Sequence, residues 1–133
     1  MSGTQRLTFV ALSVADLERS LRFYRDALGL PLALSNHDAE LRDPWYGGRH
    51  AAYSWTDGAY LHFALYPAHP PERPVATAAQ IGFQVDDFDG LHARVVQAGY
   101  VVVEPPRDEP WGRTARYLDP DGNIVSITAP SAH

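Results

Sequence analysis

QIGFQVDDFDGLHARVVQAG, residues 80–99, decides the fold because it changes period in the middle. In QIGFQV (80–85) Ile81, Phe83 and Val85 alternate with Gln80, Gly82 and Gln84, the pattern of a half-buried strand. From Asp87 onward Phe88, Leu91, Val95 and Ala98 recur at helical spacing, Asp87 stands where a helix N-cap belongs, and Gly99 stops the run. The same switch occurs earlier in the chain. LTFVALSV (7–14) reads as a strand, Asp16 as a cap, Leu17, Leu21, Tyr24 and Leu28 as a helix face, and Gly29 as its stop. Val14 and Val85 stand 71 positions apart, as do Asp16 and Asp87, and Gly29 and Gly99 stand 70 apart. The chain therefore contains an internal repeat.

Three strand-like runs follow each helix: LPLAL (30–34), HAAYSWT (50–56) and AYLHFALY (59–66), then YVVVE (100–104), TARYL (114–118) and NIVSIT (123–128). Each half reads β-α-β-β-β, so the fold class is α+β, with module 1 over about 7–66 and module 2 over about 80–128. PAHPPERPVATA (67–78), with four prolines, reads as the linker. SNHDAELRDPWYGG (35–48) is long for a connection in so small a domain and has the character of a lid, a binding loop or a surface excursion.

Composition bounds the function. A chain of 133 residues, 45% hydrophobic and 20% charged, is expected to form one soluble globular domain. It has no apolar run long enough for a membrane span and no secretion-signal pattern at MSGTQRLTF, so a cytoplasmic location is expected. The absence of cysteine removes disulfides and thiolate chemistry. A net charge of −5, with no basic run, argues against nucleic acid as a partner.

Between Thr56 and Ala59, Asp57-Gly58 predicts a two-residue hairpin turn, which pairs Trp55 with Tyr60 and Tyr53 with His62. Alternation then sends Leu61, Phe63 and Leu65 to one face, and Tyr53, Trp55, Tyr60, His62 and Tyr66 to the other. In RYLDPDGNIVSI (116–127), Asp119 and Asp121 do not open a calcium loop: the Gly such a loop needs would fall on Ile124 and its closing Glu on Pro130. Pro120 and Gly122 make a turn there, with the acids bonding its backbone amides. His37, Asp38, Glu40 and His50 are the only other dense group of metal-type donors, and exposed loops collect such residues for solubility as well.

The motifs LSVADLERSLRFYRDALGL (12–30), FQVDDFDGLHARVVQAG (83–99) and RYLDPDGNIVSI (116–127) resemble the vicinal oxygen chelate superfamily, which includes glyoxalase I, extradiol dioxygenases and fosfomycin- and bleomycin-resistance proteins. The resemblance implies two modules forming a curved mixed sheet that encloses a ligand, completed in a homodimer. It also implies that the His62 face is the concave one, joined by Phe9, Ala11 and Ser13 and by Gln80, Gln84 and Ser126. Metal-using relatives carry ligands at four positions that match Phe9, His62, Gln80 and Ser126 here. One good donor in four does not hold a transition metal, so no metal and no cofactor are expected. EPWGRTARYLDPDGN (109–123) resembles the corresponding run of bleomycin-resistance-type proteins, which makes Trp111 a candidate for stacking on a ligand, with Arg113 and Arg116 beside it. The resulting expectation is a metal-independent binder of an aromatic or planar small molecule. The alternative is a glyoxalase-like lyase, isomerase or dioxygenase using atypical metal ligands or a metal-free His62 general base.

Overall fold

The computed structural model describes residues 3–35 and 49–130. The chain forms two compact units, Met1–Leu17 with Pro31–Val75, and Glu18–Leu30 with Ala76–His133. The first helix thus belongs to the same unit as the second module's strands, although it is encoded inside the first.

The first unit holds β1 (Phe9–Val14), β2 (Ala33–Ser35), β3 (His50–Trp55) and β4 (Leu61–Pro67) in the order β1-β4-β3-β2. β1 runs parallel to β4, and the other neighbours are antiparallel. Leu12, Val14, Phe63 and Leu65 alternate along β1 and β4 and are buried to within 5% of full exclusion, the half-buried pattern the sequence predicts.

The hairpin between β3 and β4 differs from the expectation. Its loop takes in residues 56–60, and the register pairs Trp55 with Leu61, Ser54 with His62 and Tyr53 with Phe63. A two-residue type I′ turn needs positive φ at both central residues, and neither Asp57 nor Gly58 has it. The one-residue slip reverses the face of every β3 side chain relative to β4. Tyr53 and Trp55 therefore share the face of Phe63, and Tyr60 lies in the loop rather than in a strand.

The second unit begins at Glu18, inside α1 (Leu17–Leu21), which continues from Arg22 to Ala27 as a wider π-helical segment, and adds α2 (Phe88–Gln97). Its strands β5 (Gln80–Gln84), β6 (Val102–Glu109), β7 (Gly112–Leu118) and β8 (Ile124–Pro130) run in the order β5-β8-β7-β6, with β5 parallel to β8. The expected α+β architecture of two repeated modules is thus present, each with a four-stranded mixed sheet of the same strand order. Asp87 caps α2, accepting from the Gly90 amide at 3.2 Å, and Gly99 ends it at φ 85°. Leu91 and Val95 of α2, together with Ala115, Tyr117, Val125 and Ile127 of the sheet, are buried. β6 runs past Glu104 through Pro105 and Pro106, which an edge strand with irregular register tolerates.

The turn at Asp119 ties this unit together. One oxygen of its buried carboxylate accepts from the amides of Asp121 (2.9 Å) and Asn123 (2.8 Å). The other accepts from the Tyr24 hydroxyl (2.5 Å) and the Asn123 side chain (2.9 Å). Asn123 also donates to the Ala76 carbonyl and accepts from the Ala79 amide, both at 2.8 Å. Asp121 pairs with Arg19 at 2.7 Å. Asp119 thus bonds the backbone amides of the turn, as the sequence predicts. Replacing Tyr24 by Phe removes one hydrogen bond to a buried charge and is expected to cost about 2 kcal/mol in urea unfolding, and Asp119→Ala, which strands several donors, at least about 3 kcal/mol. A Tyr24→Phe protein as stable as the parent would mean that this bond contributes nothing.

Candidate functional site

In the first unit, pairing across β1, β4 and β3 assembles one face in rows. Phe9, His62 and Ser54 form one row; Ser13 with Tyr66 and His50 with Ser35 form another, joined by the stacking of His50 on Tyr66. Between them lie Ala11, Ala64, Ala52 and Ala33, one per strand. Nothing larger than a methyl group from the sheet separates the two flanking rows.

Each flanking row is a ring stack. Phe9 and His62 lie 5.5 Å apart at 11°, and His50 and Tyr66 lie 4.8 Å apart at 16°. Arg73 places its guanidinium 5.0 Å from the Tyr66 ring centre and donates to the Pro67 carbonyl at 2.8 Å. His50 and Tyr66 are buried and Ala64 is fully so, whereas Phe9 (41% exposed) and Ala11 are open. The accessible part of this face is consequently its β1 edge, backed by half-buried His62. Ser54 Oγ lies 2.7 Å from His62 Nδ1. Partial burial, and secondarily the neighbouring His50, hold His62 below the ordinary imidazole value. The ring is therefore neutral at pH 7.

In the second unit, β5 and β8 bring Gln80, Gln84 and Ser126 to a common face, and β7 adds Arg116. Gln80, Gly82 and Gln84 are all exposed. Ser126 sits against Gly82: a Cβ at position 82 would fall 2.7 Å from Ser126 Oγ, so the glycine makes room for the hydroxyl. Arg116 faces Glu104 at 3.7 Å.

The remaining predicted residues fall elsewhere. Tyr53 and Trp55 meet edge to face at 5.1 Å on the side opposite His62. Trp111 is 63% exposed in the two-residue turn between β6 and β7. Arg113 points to the helix side, its guanidinium 5.4 Å from the Phe88 ring centre, with Asp108 at 3.1 Å and Asp89 at 3.8 Å. Ser54 and the His50–Tyr66–Arg73 group were not singled out from sequence as parts of this face, Tyr66 excepted. Ser54 is legible only once the true register is known, because the expected register sets Tyr53 opposite His62.

The four positions at which the superfamily holds metal do not fit a divalent transition ion. Phe9 offers a hydrocarbon ring to His62, whose Nδ1 is engaged by Ser54, while Gln80 and Ser126 offer a neutral amide and a hydroxyl. Among the described residues no group of three or more His, Cys, Asp or Glu is placed to hold an ion. His37, Asp38 and Glu40 lie outside the described residues.

A family model described as Glyoxalase/Bleomycin resistance protein/Dioxygenase superfamily matches residues 6–127. Glutathione transferase FosA of Serratia marcescens is 28% identical over 125 residues, covering 92% of this chain and 79% of that protein. The crystal structure of TnmS3, an antibiotic binding protein from Streptomyces sp. CB03234, is similar with a TM-score of 0.66 and 27% identity, covering 98% of this chain and 100% of that one. TioX from Micromonospora sp. ML1, at 23% identity, a TM-score of 0.63 and coverage of 96% and 100%, shares the fold. With repeat, strand order and motif positions agreeing over nearly its whole length, the chain belongs to the Glyoxalase/Bleomycin resistance protein/Dioxygenase superfamily.

Proposed function

We propose that this protein binds an aromatic or planar small molecule without a metal, and that it sequesters the ligand rather than transforming it. The observation that carries the reading is the exposed Phe9 ring stacked on neutral His62, at a place where metal-using relatives carry a ligand. An open aromatic face beside one polar ring suits a flat, partly polar compound. Exposed Gln80 and Gln84, with half-buried Ser126, supply a second set of neutral hydrogen-bonding groups. The similarity to an antibiotic binding protein supports the same ligand class.

A second reading makes the protein an enzyme with His62 as a metal-free general base. It draws on the neutral, hydrogen-bonded imidazole and on the similarity to FosA, a glutathione transferase. Turnover separates the two readings.

Screening planar aromatic antibiotics and metabolites by thermal shift is expected to yield compounds that raise Tm and are recovered unchanged. Phe9→Ala is expected to weaken binding of such a compound about tenfold, or ~1.4 kcal/mol. Failure of every compound to shift Tm, or hits returned chemically altered over many turnovers, would overturn sequestration.

Stability carries a further signature. His62 has a lowered pKa in the fold, so folding disfavours its protonation; the associated stability is full above the ordinary value of 6.5 and declines as pH falls below it. Urea midpoints measured across this range are expected to fall less steeply with acid in His62→Gln than in the parent. Identical slopes would show that His62 is not shifted.

A further inference from the structure

The binding reading leaves unanswered which face of the His62 imidazole, donor or acceptor, a ligand meets. Three features bear on it. Ser54 stands directly opposite His62 across the β3–β4 pair, and its Oγ approaches Nδ1 at 2.7 Å. Among the described residues this is the only hydrogen bond of the Ser54 side chain. The Phe9 ring lies nearly parallel to the imidazole and restrains its plane, while Ser54 restrains its rotation within that plane.

A hydroxyl has one hydrogen to give, and a neutral imidazole has one N–H and one lone pair in its plane. If Nδ1–H donated to Ser54, the serine hydrogen would be left without a protein acceptor among the described residues. If the hydroxyl donates to Nδ1, its hydrogen meets the stronger acceptor of the pair, since an imidazole nitrogen is more basic than a hydroxyl oxygen, and the imidazole proton then resides on Nε2, free to meet a ligand. The neighbouring strand therefore sets the tautomer through the hydrogen-bond partner it offers.

We infer that Ser54 is a positioning residue that fixes His62 as the Nε2–H tautomer, so that the Phe9–His62 edge presents an N–H donor and selects planar ligands bearing an accepting oxygen such as a carbonyl. The inference rests on the binding reading for its ligand half and on the Ser54–His62 geometry alone for its tautomer half. It also accounts for a site with an exposed aromatic ring that is not merely greasy. A hydrocarbon of the same shape would stack on Phe9 but leave the Nε2–H unpaired on binding, which lowers its affinity.

Two measurements on the full chain test the two halves separately. In the ¹⁵N-labelled protein at pH 7.5, long-range ¹H–¹⁵N correlations of the His62 ring, assigned by their loss in His62→Phe, are expected to show Nδ1 unprotonated and Nε2 protonated. In Ser54→Ala the two nitrogen shifts are expected to move toward each other as tautomers mix, and in Ser54→Thr, which retains the hydroxyl, to return. A protonated Nδ1 in the parent, or a Ser54→Ala spectrum identical to it, overturns the assignment. For the ligand half, 9-fluorenone and fluorene share one ring system and differ in the carbonyl, and neither carries another accepting oxygen. The ketone is expected to bind the parent about fivefold more tightly, the worth of one net hydrogen bond, and to lose most of that preference in Ser54→Ala. Equal binding of the two overturns carbonyl selection while leaving the planar-ligand reading in place. Binding of neither counts against the planar-ligand reading and takes carbonyl selection with it, whereas the nitrogen shifts still decide the role of Ser54.

Discussion

The buried carboxylate of Asp119 is the constraint on which the second unit depends. A carboxylate removed from water is costly unless its lone pairs are filled, and here four donors fill them: two backbone amides, one phenol and one side-chain amide. Those donors come from parts of the chain far apart. Tyr24 arrives from the first helix, 95 positions away, and Asn123 passes the connection on to Ala76 and Ala79 just before β5. The Tyr24 phenol must keep its proton to serve. Its burial, with the adjacent Asp119 next in effect, pushes its pKa far up, so it remains a donor throughout the physiological range.

The same turn fixes which way β8 faces. Asn123 is held inside, and Ile124 donates to the Ala79 carbonyl at 3.0 Å, which starts the parallel pairing with β5. From there alternation leaves no freedom: Val125 and Ile127 go to the buried side, and Ser126 and Thr128 go to the other. Presentation of Ser126 beside Gln80 and Gln84 is thus a consequence of a polar network that none of them touches. Functional residues on a sheet are set by register, and register here is set by one turn.

This explains how unevenly the molecule could be read from its residues. All eight strands and both helices were legible because period switching, Asp caps and Gly stops are local signals, and the repeat near 71 residues doubled each of them. The spatial grouping of the first helix with the second module's sheet was not legible, because it rests on Tyr24 meeting Asp119 and Arg94 meeting the Ala27 carbonyl at 3.1 Å. The site was half legible. Phe9 beside His62, and Gln80 with Ser126 on one face, followed from motif position. Tyr53 and Trp55 were misplaced because Asp57-Gly58 looks like a tight turn, and Gly58 does not take the positive φ that such a turn requires. A single-residue error in a loop moved two aromatic rings to the wrong side of the sheet.

The composition of the His62 face is what the proposed binding function rests on. Metal catalysis needs several converging lone pairs, and the sheet here turns one neighbour of His62 into a phenyl ring and commits its Nδ1 to a serine. Recognition needs less: a flat surface for dispersion, one oriented polar atom for direction, and an environment that keeps this atom in one state. In the proposed function Phe9 would supply the first and His62 the second, and partial burial with the nearby His50 favours the neutral ring that the third requires.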